Sequence, residues 1–171
     1  MIVVRQLADE ELSRASEIDV SEGGHAVYRY ARGELRTAAE TWQRPRWNAN
    51  EWKNVIDKWT VELKWDVMVG AFAGEQLVEL TSVRYRLEGT TAQLVALYVS
   101  RASRRLGVAA RLTDEIVRLA KVHGARDLYV SATPSESAVG FYLSQGFRPT
   151  ASINKELCEL EPEDIHMVRA F

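Results

Sequence analysis

The chain is poor in the features that mark several functional classes. It has one cysteine, Cys158, so no internal disulfide can form, and a reducing cytoplasm is the expected compartment. Its 22 lysines and arginines against 24 acidic residues give a net charge of -2, whereas a dedicated nucleic-acid binder needs a strongly basic face. No uninterrupted apolar stretch is long enough to cross a bilayer, and residues 1–5 do not begin a secretory signal. We therefore expect no nucleic-acid partner and no membrane segment.

The common nucleotide-binding and metal-binding signatures are also missing. No glycine is followed by the Lys-Ser/Thr pair of a P-loop, and the three-glycine dinucleotide fingerprint is absent. His25, His123 and His166 lack metal-ligand spacing to one another or to Cys158. We therefore expect no metal site.

The remaining composition is that of an ordinary globular protein. The length of 171 residues, with 46% hydrophobic and 27% charged residues, suits one domain over residues 1–171. Asp9 is expected to cap a first helix, and Asn48 or Asn50 is expected to cap a second one. A hairpin over residues 25–35, turning at Arg32 and Gly33, is expected between them. The predicted strands are 2–6, 67–72, 77–84, 92–99, 128–132 and 164–171. This order predicts an α+β fold, in which helices cover both faces of a mixed, mostly antiparallel central sheet.

The most informative stretch joins an apolar run to an amphipathic helix. Residues 94–99 are apolar on both alternating faces, as in a strand buried on two sides. Helical spacing then continues to a stop at Gly124. Between these elements, Arg104 and Arg105 supply two cations, and Gly107 lets a ligand approach the free amides of the helix start. The combination predicts a site for a phosphate-bearing anion.

Two motifs in this region resemble those of the GNAT acyltransferase superfamily. The acetyl-CoA pyrophosphate loop of that superfamily reads Arg/Gln-x-x-Gly-x-Gly/Ala, which Arg104, Gly107 and Ala109 match. After a further strand, residues 135–147 match Asn-x-x-Ala-x-x-Phe-Tyr-x-x-x-Gly-Phe, except that serine replaces the asparagine. The resemblance covers residues 77–147. It implies an N-acetyltransferase that uses acetyl-CoA as co-substrate, similar to small single-domain bacterial enzymes.

The resemblance also implies how the coenzyme binds. The strand before the loop splays from its neighbour, and the pantetheine arm pairs with the exposed backbone as an added strand. The Leu97 amide would polarise the acetyl carbonyl, Val99 would pair with a pantetheine amide, and the loop amides would hold the pyrophosphate. Ser135 would still cap its helix, although the contacts of an asparagine amide are lost. The implied cofactor-binding residues are Leu97, Tyr98, Val99, Arg104, Arg105, Leu106, Gly107, Val108, Ala109, Ala110, Ser135 and Tyr142.

Tyr142 is the implied catalytic acid, acting beside the Leu97 amide. A phenol with a pKa of about 10 is protonated at neutral pH and can protonate a leaving thiolate; the alternative is a core tyrosine bonded to a backbone carbonyl. The base stays open. Gln93 stands where relatives often have glutamate, and it cannot hold a proton. Glu79 is a substitute, although a charged residue on a strand more often belongs to a solvated face, and a water chain is a third option.

The acceptor site is expected within residues 19–65. Trp52 and Trp59 keep helical spacing and suit the core, whereas Glu22 or Glu40 would attract an ammonium group. Four other aromatic residues suit an acceptor pocket, a packed hairpin or a homodimer contact: Tyr28, Tyr30, Trp42 and Trp47.

The favoured acceptor is a small amine or an antibiotic, and a peptide N-terminus or lysine is the close alternative. A different class of protein also fits. With Gln93 in place of glutamate, the chain would be a catalytically inactive acyl-CoA sensor or interaction module on the same fold.

Overall fold

Nine strands and four α-helices make up the fold. The computed structural model describes residues 1–171. The strands are β1 Ile2–Gln6, β2 Glu22–Ala31, β3 Glu34–Arg44, β4 Val67–Ala73, β5 Gln76–Glu88, β6 Thr91–Val99, β7 Asp127–Ala132, β8 Arg148–Pro149 and β9 Ile165–Ala170. The helices are α1 Ala49–Lys58, α2 Val108–Val122, α3 Glu136–Ser144 and α4 Lys155–Leu160. Short 3-10 helices occupy Asp9–Glu17 and Arg101–Ser103, and a π-helical turn at Trp59–Leu63 continues α1.

Seven strands form one mixed sheet in the order β1-β4-β5-β6-β7-β9-β8. Only the β6–β7 pair is parallel, and α2 supplies the crossover that a parallel pair requires. β2 and β3 form a separate antiparallel hairpin. These observations confirm the predicted α+β fold with a mostly antiparallel central sheet. None of the helices combines the length and the apolar character that a membrane-spanning segment requires.

Each face of the sheet has its own hydrophobic core. On one face, α2 and α3 bury Leu112, Ile116 and Val139 against the strands. On the other face, the first 3-10 helix and α1 bury a second cluster that contains Trp52 and Trp59. Helices on both faces are therefore confirmed, and so is the prediction that these two tryptophans belong to the core.

The start of α1 is fixed by Asn48. Its side chain accepts a hydrogen bond from the Glu51 amide at 3.0 Å, and Glu51 Oε2 accepts one from the Asn48 amide at 2.7 Å. This reciprocal pair is a capping box. Asn48 is therefore the cap, and Asn50 lies within the first turn.

The helices that flank the predicted anion site begin as expected. α2 starts directly after Gly107, and it ends before Gly124, whose φ of 85° is the left-handed conformation that glycine tolerates. Ser135 caps α3 by accepting a hydrogen bond from the Ala138 amide at 3.2 Å. The serine therefore preserves the capping role that the asparagine of the family motif would fill.

The β2–β3 hairpin is longer than residues 25–35. Its turn at Arg32 and Gly33 is confirmed, since both have positive φ, 53° and 78°. The glycine pair before residue 25, which suggests a loop, instead belongs to β2. A Cβ on Gly24 would lie 2.9 Å from Trp42 Nε1, so the missing side chain makes room for the tryptophan ring across the ladder.

The segment after β1 is a 3-10 helix rather than an α-helix. Ala8 occupies the N-cap position and Asp9 is the first helical residue, so the predicted Asp9 cap is wrong. The Ala8 amide is instead satisfied by Glu11 Oε2 at 3.1 Å, and the Arg5 guanidinium holds the same carboxylate at 2.7 Å.

Replacement of the α1 cap tests this account of where helices begin. Asn48→Ala is expected to lower the free energy of unfolding by about 1 kcal/mol, because the Glu51 amide loses its acceptor. Urea unfolding followed by tryptophan fluorescence measures the change. Asn50→Ala is the matched control and is expected to be neutral or slightly stabilising, since alanine favours the helix interior. Equal losses in the two variants would contradict the assignment.

Candidate active site

The two parallel strands pair over only part of their length. Residues 91–93 of β6 pair with residues 127–129 of β7, and beyond that point no pairing joins the two strands. A cleft of about 1380 Å³ opens where they separate. Both strands line it, together with the first turns of α2 and α3 and residues of α1 and α4. The splayed pair that the family resemblance implies is thus present.

A β-bulge marks the point of separation. The β5–β6 register shifts between Ser82 and Val83, which leaves Val95 of β6 without a partner. A bulge bends its strand and increases the local twist. Because Val95 follows closely on Gln93, the last residue paired with β7, the bulge explains why β6 turns away.

The register also fixes which backbone groups face the gap. The Ser100 amide donates to the Val78 carbonyl of β5 at 2.8 Å. Successive residues of an antiparallel strand direct their backbone groups alternately to the two sides. Val99 and Leu97 therefore turn their amides and carbonyls away from β5, into the gap that β7 has left.

The loop after β6 leaves six consecutive amides free. The amides of residues 105–110 donate no hydrogen bond within the protein. Arg105 and Gly107 are left-handed, with φ of 63° and 76°, and such turns gather amides into an anion-binding concavity. A Cβ on Gly107 would meet no atom within 4 Å, so open space lies where a ligand would approach. The positive end of the α2 dipole adds to the attraction for an anion.

The cations beside this loop are partly engaged. The Arg104 guanidinium lies 3.7 Å from Glu22 of β2, and the same carboxylate contacts Arg44 at 3.1 Å. Arg105 is exposed. The other candidate for attracting an ammonium group, Glu40, pairs with an arginine of the hairpin and lies outside the cleft. Glu22 and Glu40, the two carboxylates expected to attract an ammonium group, are therefore both paired with arginines already.

Tyr142 faces the cleft from α3 with an unpartnered hydroxyl. Its ring packs edge-on against Phe141 and Phe147, at centroid distances of 5.4 and 5.3 Å. The ring belongs to the buried core, as the alternative to an acid role expects, but the hydroxyl makes no hydrogen bond to a backbone carbonyl. Burial raises the pKa of Tyr142, with smaller contributions from Tyr98 and Asp164. The phenol is therefore protonated throughout the neutral range.

An aromatic wall closes one side of the cleft. Tyr98 stacks on Trp59 at 5.4 Å and lies 5.4 Å from Trp47, and all three residues line the cleft. Burial raises the pKa of Tyr98 to about 12. Of the four aromatics expected at an acceptor pocket, only Trp47 lies here.

The other three expected aromatics belong to the packed hairpin. Tyr28 and Tyr30 pack against the first hydrophobic core, and Trp42 donates to the Ala26 carbonyl at 3.3 Å. The acceptor-pocket interpretation is therefore wrong for these three residues.

Two polar residues of the central strands are buried beside the cleft. Gln93 is buried, and its Oε1 has no hydrogen-bond partner. Glu79 of β5 has an exposed fraction of 0%, so the prediction of a solvated face is wrong: β5 is covered on both faces. Burial raises the pKa of Glu79 to about 8.

A carboxylate that sequence reasoning missed lies across the gap. Asp164 precedes β9 and accepts a hydrogen bond from the Ser131 hydroxyl of β7 at 2.9 Å. Burial raises the pKa of Asp164 to about 6, Glu161 raises it further, and Ser131 and Lys58 oppose the shift. Ser131 lies just beyond the point where β6 and β7 part. Four residues, Asp164, Ser131, Glu161 and Lys58, all line the cleft. No spacing in the sequence relates Asp164 to the two family motifs.

The cleft gathers nearly all of the residues expected to bind the coenzyme. Leu106 is the exception, since it is 69% exposed and does not line the cleft. The expected coenzyme-binding residues that line the cleft are Leu97, Tyr98, Val99, Arg104, Arg105, Gly107, Val108, Ala109, Ala110, Ser135 and Tyr142.

Solved structures share this fold over nearly their whole length. A streptothricin acetyltransferase from Bacillus anthracis, in complex with acetyl coenzyme A, has a TM-score of 0.76 and 17% identity, covering 100% of this chain and 99% of that one. Nourseothricin acetyltransferase has a TM-score of 0.73 and 15% identity, covering 99% and 98%. The PaiA N-acetyltransferase from Thermoplasma acidophilum, in complex with coenzyme A, has a TM-score of 0.61 and 16% identity, covering 100% and 99%. At these identities the likeness concerns the fold.

The sequence itself matches a family. No curated protein is significantly similar to the chain. The family model described as the acetyltransferase (GNAT) domain matches residues 13–159, which is most of the chain. The chain therefore belongs to the GNAT acetyltransferase family, a family of acetyl-CoA-dependent acyltransferases, as its two motifs predict.

Proposed function

We propose that the protein transfers the acetyl group of acetyl-CoA directly to a primary amine. The observation that carries this proposal is the continuity of two binding surfaces. The open backbone edge of β6 leads straight into the loop whose six amides are free. An extended arm with a diphosphate at its end fits such a path.

The residues present suit the coenzyme. The amides of residues 105–110 would hold the diphosphate, with the guanidinium of Arg105 nearby, and the backbone of Leu97 and Val99 would pair with the pantetheine arm. The coenzyme supplies an acetyl thioester, which an amine can attack without a covalent enzyme intermediate. Cys158 lies in α4 and is absent from the cleft lining, so it has no part in the transfer.

Two groups of the chain act on the reacting atoms. The Leu97 amide donates a hydrogen bond to the acetyl oxygen, and one donor of this kind contributes about 3 kcal/mol. The Tyr142 hydroxyl protonates the sulfur as the carbon–sulfur bond breaks and the carbon–nitrogen bond forms. Its unpartnered hydroxyl supports a role as acid, and its raised pKa keeps the phenol protonated at neutral pH. The nitrogen gives its second proton to solvent as the amide forms, and solvent returns a proton to the phenolate.

Asp164 is the base that the geometry favours. A carboxylate with a pKa of about 6 is mostly ionised at pH 7 and still basic enough to take a proton from an ammonium group. The Ser131 hydroxyl holds its Oδ2 and leaves the other oxygen free. Gln93 cannot accept a proton, and Glu79 is mostly protonated at pH 7.

The acceptor is a primary amine on a small cationic molecule. Asp164 adds a negative charge that attracts an ammonium group, and the rings of Trp47, Trp59 and Tyr98 supply a flat apolar wall in the same cleft. The similarity to acetyltransferases named for nourseothricin and streptothricin agrees with this class. Acetylation of a peptide N-terminus or a lysine is the close alternative.

A non-catalytic acyl-CoA sensor on the same fold is the second candidate, and Gln93 is the observation that favours it. A thiol-release assay with acetyl-CoA and a panel of amines separates the two. An enzyme releases coenzyme A in the presence of an acceptor, whereas a sensor binds the coenzyme without turnover.

Substitution of Gly107 tests the coenzyme site. Gly107→Asn is expected to weaken coenzyme A binding at least tenfold by calorimetry, because the new side chain enters the path to the free amides. Asparagine tolerates the left-handed conformation, so the fold is kept. Gly89→Asn, at another left-handed glycine with open space, is the control and should bind normally. Normal coenzyme A binding by both variants would show that the diphosphate binds outside this loop.

Removal of the Tyr142 hydroxyl tests the acid. Tyr142→Phe is expected to lower kcat by about 100-fold, because the leaving thiolate loses its proton donor, while KM for acetyl-CoA stays within a few-fold. Tyr30→Phe makes the same chemical change outside the cleft and should keep full turnover. An unchanged kcat in Tyr142→Phe removes this residue from the mechanism.

The pH dependence of kcat/KM tests the base. The wild-type value should rise with pH around a midpoint of about 6, since only ionised Asp164 accepts a proton. Asp164→Asn should lower kcat/KM by about 100-fold and abolish that midpoint. Glu159→Gln removes an α4 charge outside this cleft and should keep the midpoint. If the midpoint persists in Asp164→Asn, a group other than Asp164 accepts the proton of the amine.

A further inference from the structure

Glu79 is a buried acid whose two oxygens have no partner. Its exposed fraction is 0%, and neither Oε1 nor Oε2 makes a hydrogen bond. Buried polar groups are nearly always hydrogen-bonded, and an exception calls for an explanation, such as a bound water or a ligand that supplies the partner. The acceptor and acid roles described above do not use this residue.

The position of Glu79 directs it toward the coenzyme side of the cleft. In the β5–β6 ladder it lies directly opposite Val99, so the two side chains share one face of the sheet. That face is the one next to α2, because Leu80, the next residue, packs in the core beneath α1. Glu79 lines the same cleft as Gly107 and Ala109 of the anion loop.

Glu79 is mostly protonated, and so mostly neutral, at pH 7. Burial is the one cause that raises its pKa to about 8. No charged group of the elements around it, on either face of the sheet, contributes to that shift. The charged groups on the surrounding elements are Arg14 and Glu17 of the first 3-10 helix, Arg101, Arg104 and Arg105 of the loop, and Arg111 and Asp114 of α2.

We propose that the Glu79 carboxyl binds an amide of the pantetheine arm. A neutral carboxyl offers one donor and one acceptor, as a secondary amide does, so the two groups are complementary. Once ionised, the carboxylate has no donor and places a negative charge in the cleft that holds the diphosphate. Coenzyme affinity therefore depends on a proton that Glu79 holds. The inference rests on the proposed function, since it assigns this residue to the same coenzyme.

Two substitutions and two ligands test the proposal by calorimetry. Glu79→Gln keeps a donor and an acceptor of the same shape, and Glu79→Met removes both. Coenzyme A carries the pantetheine arm, whereas adenosine 3′,5′-bisphosphate lacks it. Thermal unfolding of each variant verifies that it is folded at the temperature of the titration.

At pH 7, Glu79→Met should bind coenzyme A at least tenfold more weakly than wild type and bind the nucleotide within twofold. Glu79→Gln should bind both ligands within threefold. Between pH 7 and 9.5 the wild-type affinity for coenzyme A should fall, because Glu79 ionises in this range, and the affinity of Glu79→Gln should fall less.

Three results would overturn the assignment to the arm. These are wild-type affinity for coenzyme A in Glu79→Met, equal losses for both ligands, and parallel pH curves for wild type and Glu79→Gln. Failure of the proposed function has a different signature, which is the absence of coenzyme A binding by the wild-type protein.

Discussion

The separation of β6 from β7 is the constraint on which the site depends. A strand in the middle of a sheet normally satisfies its backbone groups on both sides, and here the bulge at Val95 ends that pairing on one side. The free edge is tolerated because it borders a cleft that water or a ligand can fill. The same separation lets Tyr142 from α3 and Asp164 from the start of β9 reach one space. The groups proposed to act in catalysis therefore come from distant parts of the chain.

The anion loop depends on elements beyond its own sequence. Its six amides are free because two left-handed residues, Arg105 and Gly107, turn the chain into α2 without internal hydrogen bonds. Glu22 of β2 lies between Arg104 and Arg44 and so links the hairpin to the loop through charge. The loop amides and the exposed Arg105, rather than Arg104, are thus the groups left available to a diphosphate.

Local signals in the sequence predict the turns and helix starts well, because each is determined by the conformation or capping of a few neighbouring residues. The turn at Arg32 and Gly33 and the starts of α2 and α3 follow from glycine conformation and from capping. The prediction for Glu79 is wrong because alternation along a strand assumes one solvated face, whereas β5 has helices on both sides. The sequence does not predict a role for Asp164, because that role depends on a contact with Ser131, which is 33 residues away in the chain.

The two acidic residues of the cleft differ in ionisation because their surroundings differ. Asp164 is half-buried and receives a hydroxyl donor, and its pKa is about 6; Glu79 is fully buried without a donor, and its pKa is about 8. At a pH between these values Asp164 carries a negative charge and Glu79 is mostly uncharged. Glu79 has a folded-state pKa above its ordinary value of 4.5, so native-state stability falls as pH rises from about 4.5 to about 8. Glutamate at this position therefore already costs stability at neutral pH, and a hydrogen-bonding role toward the coenzyme gives that cost a physical reason.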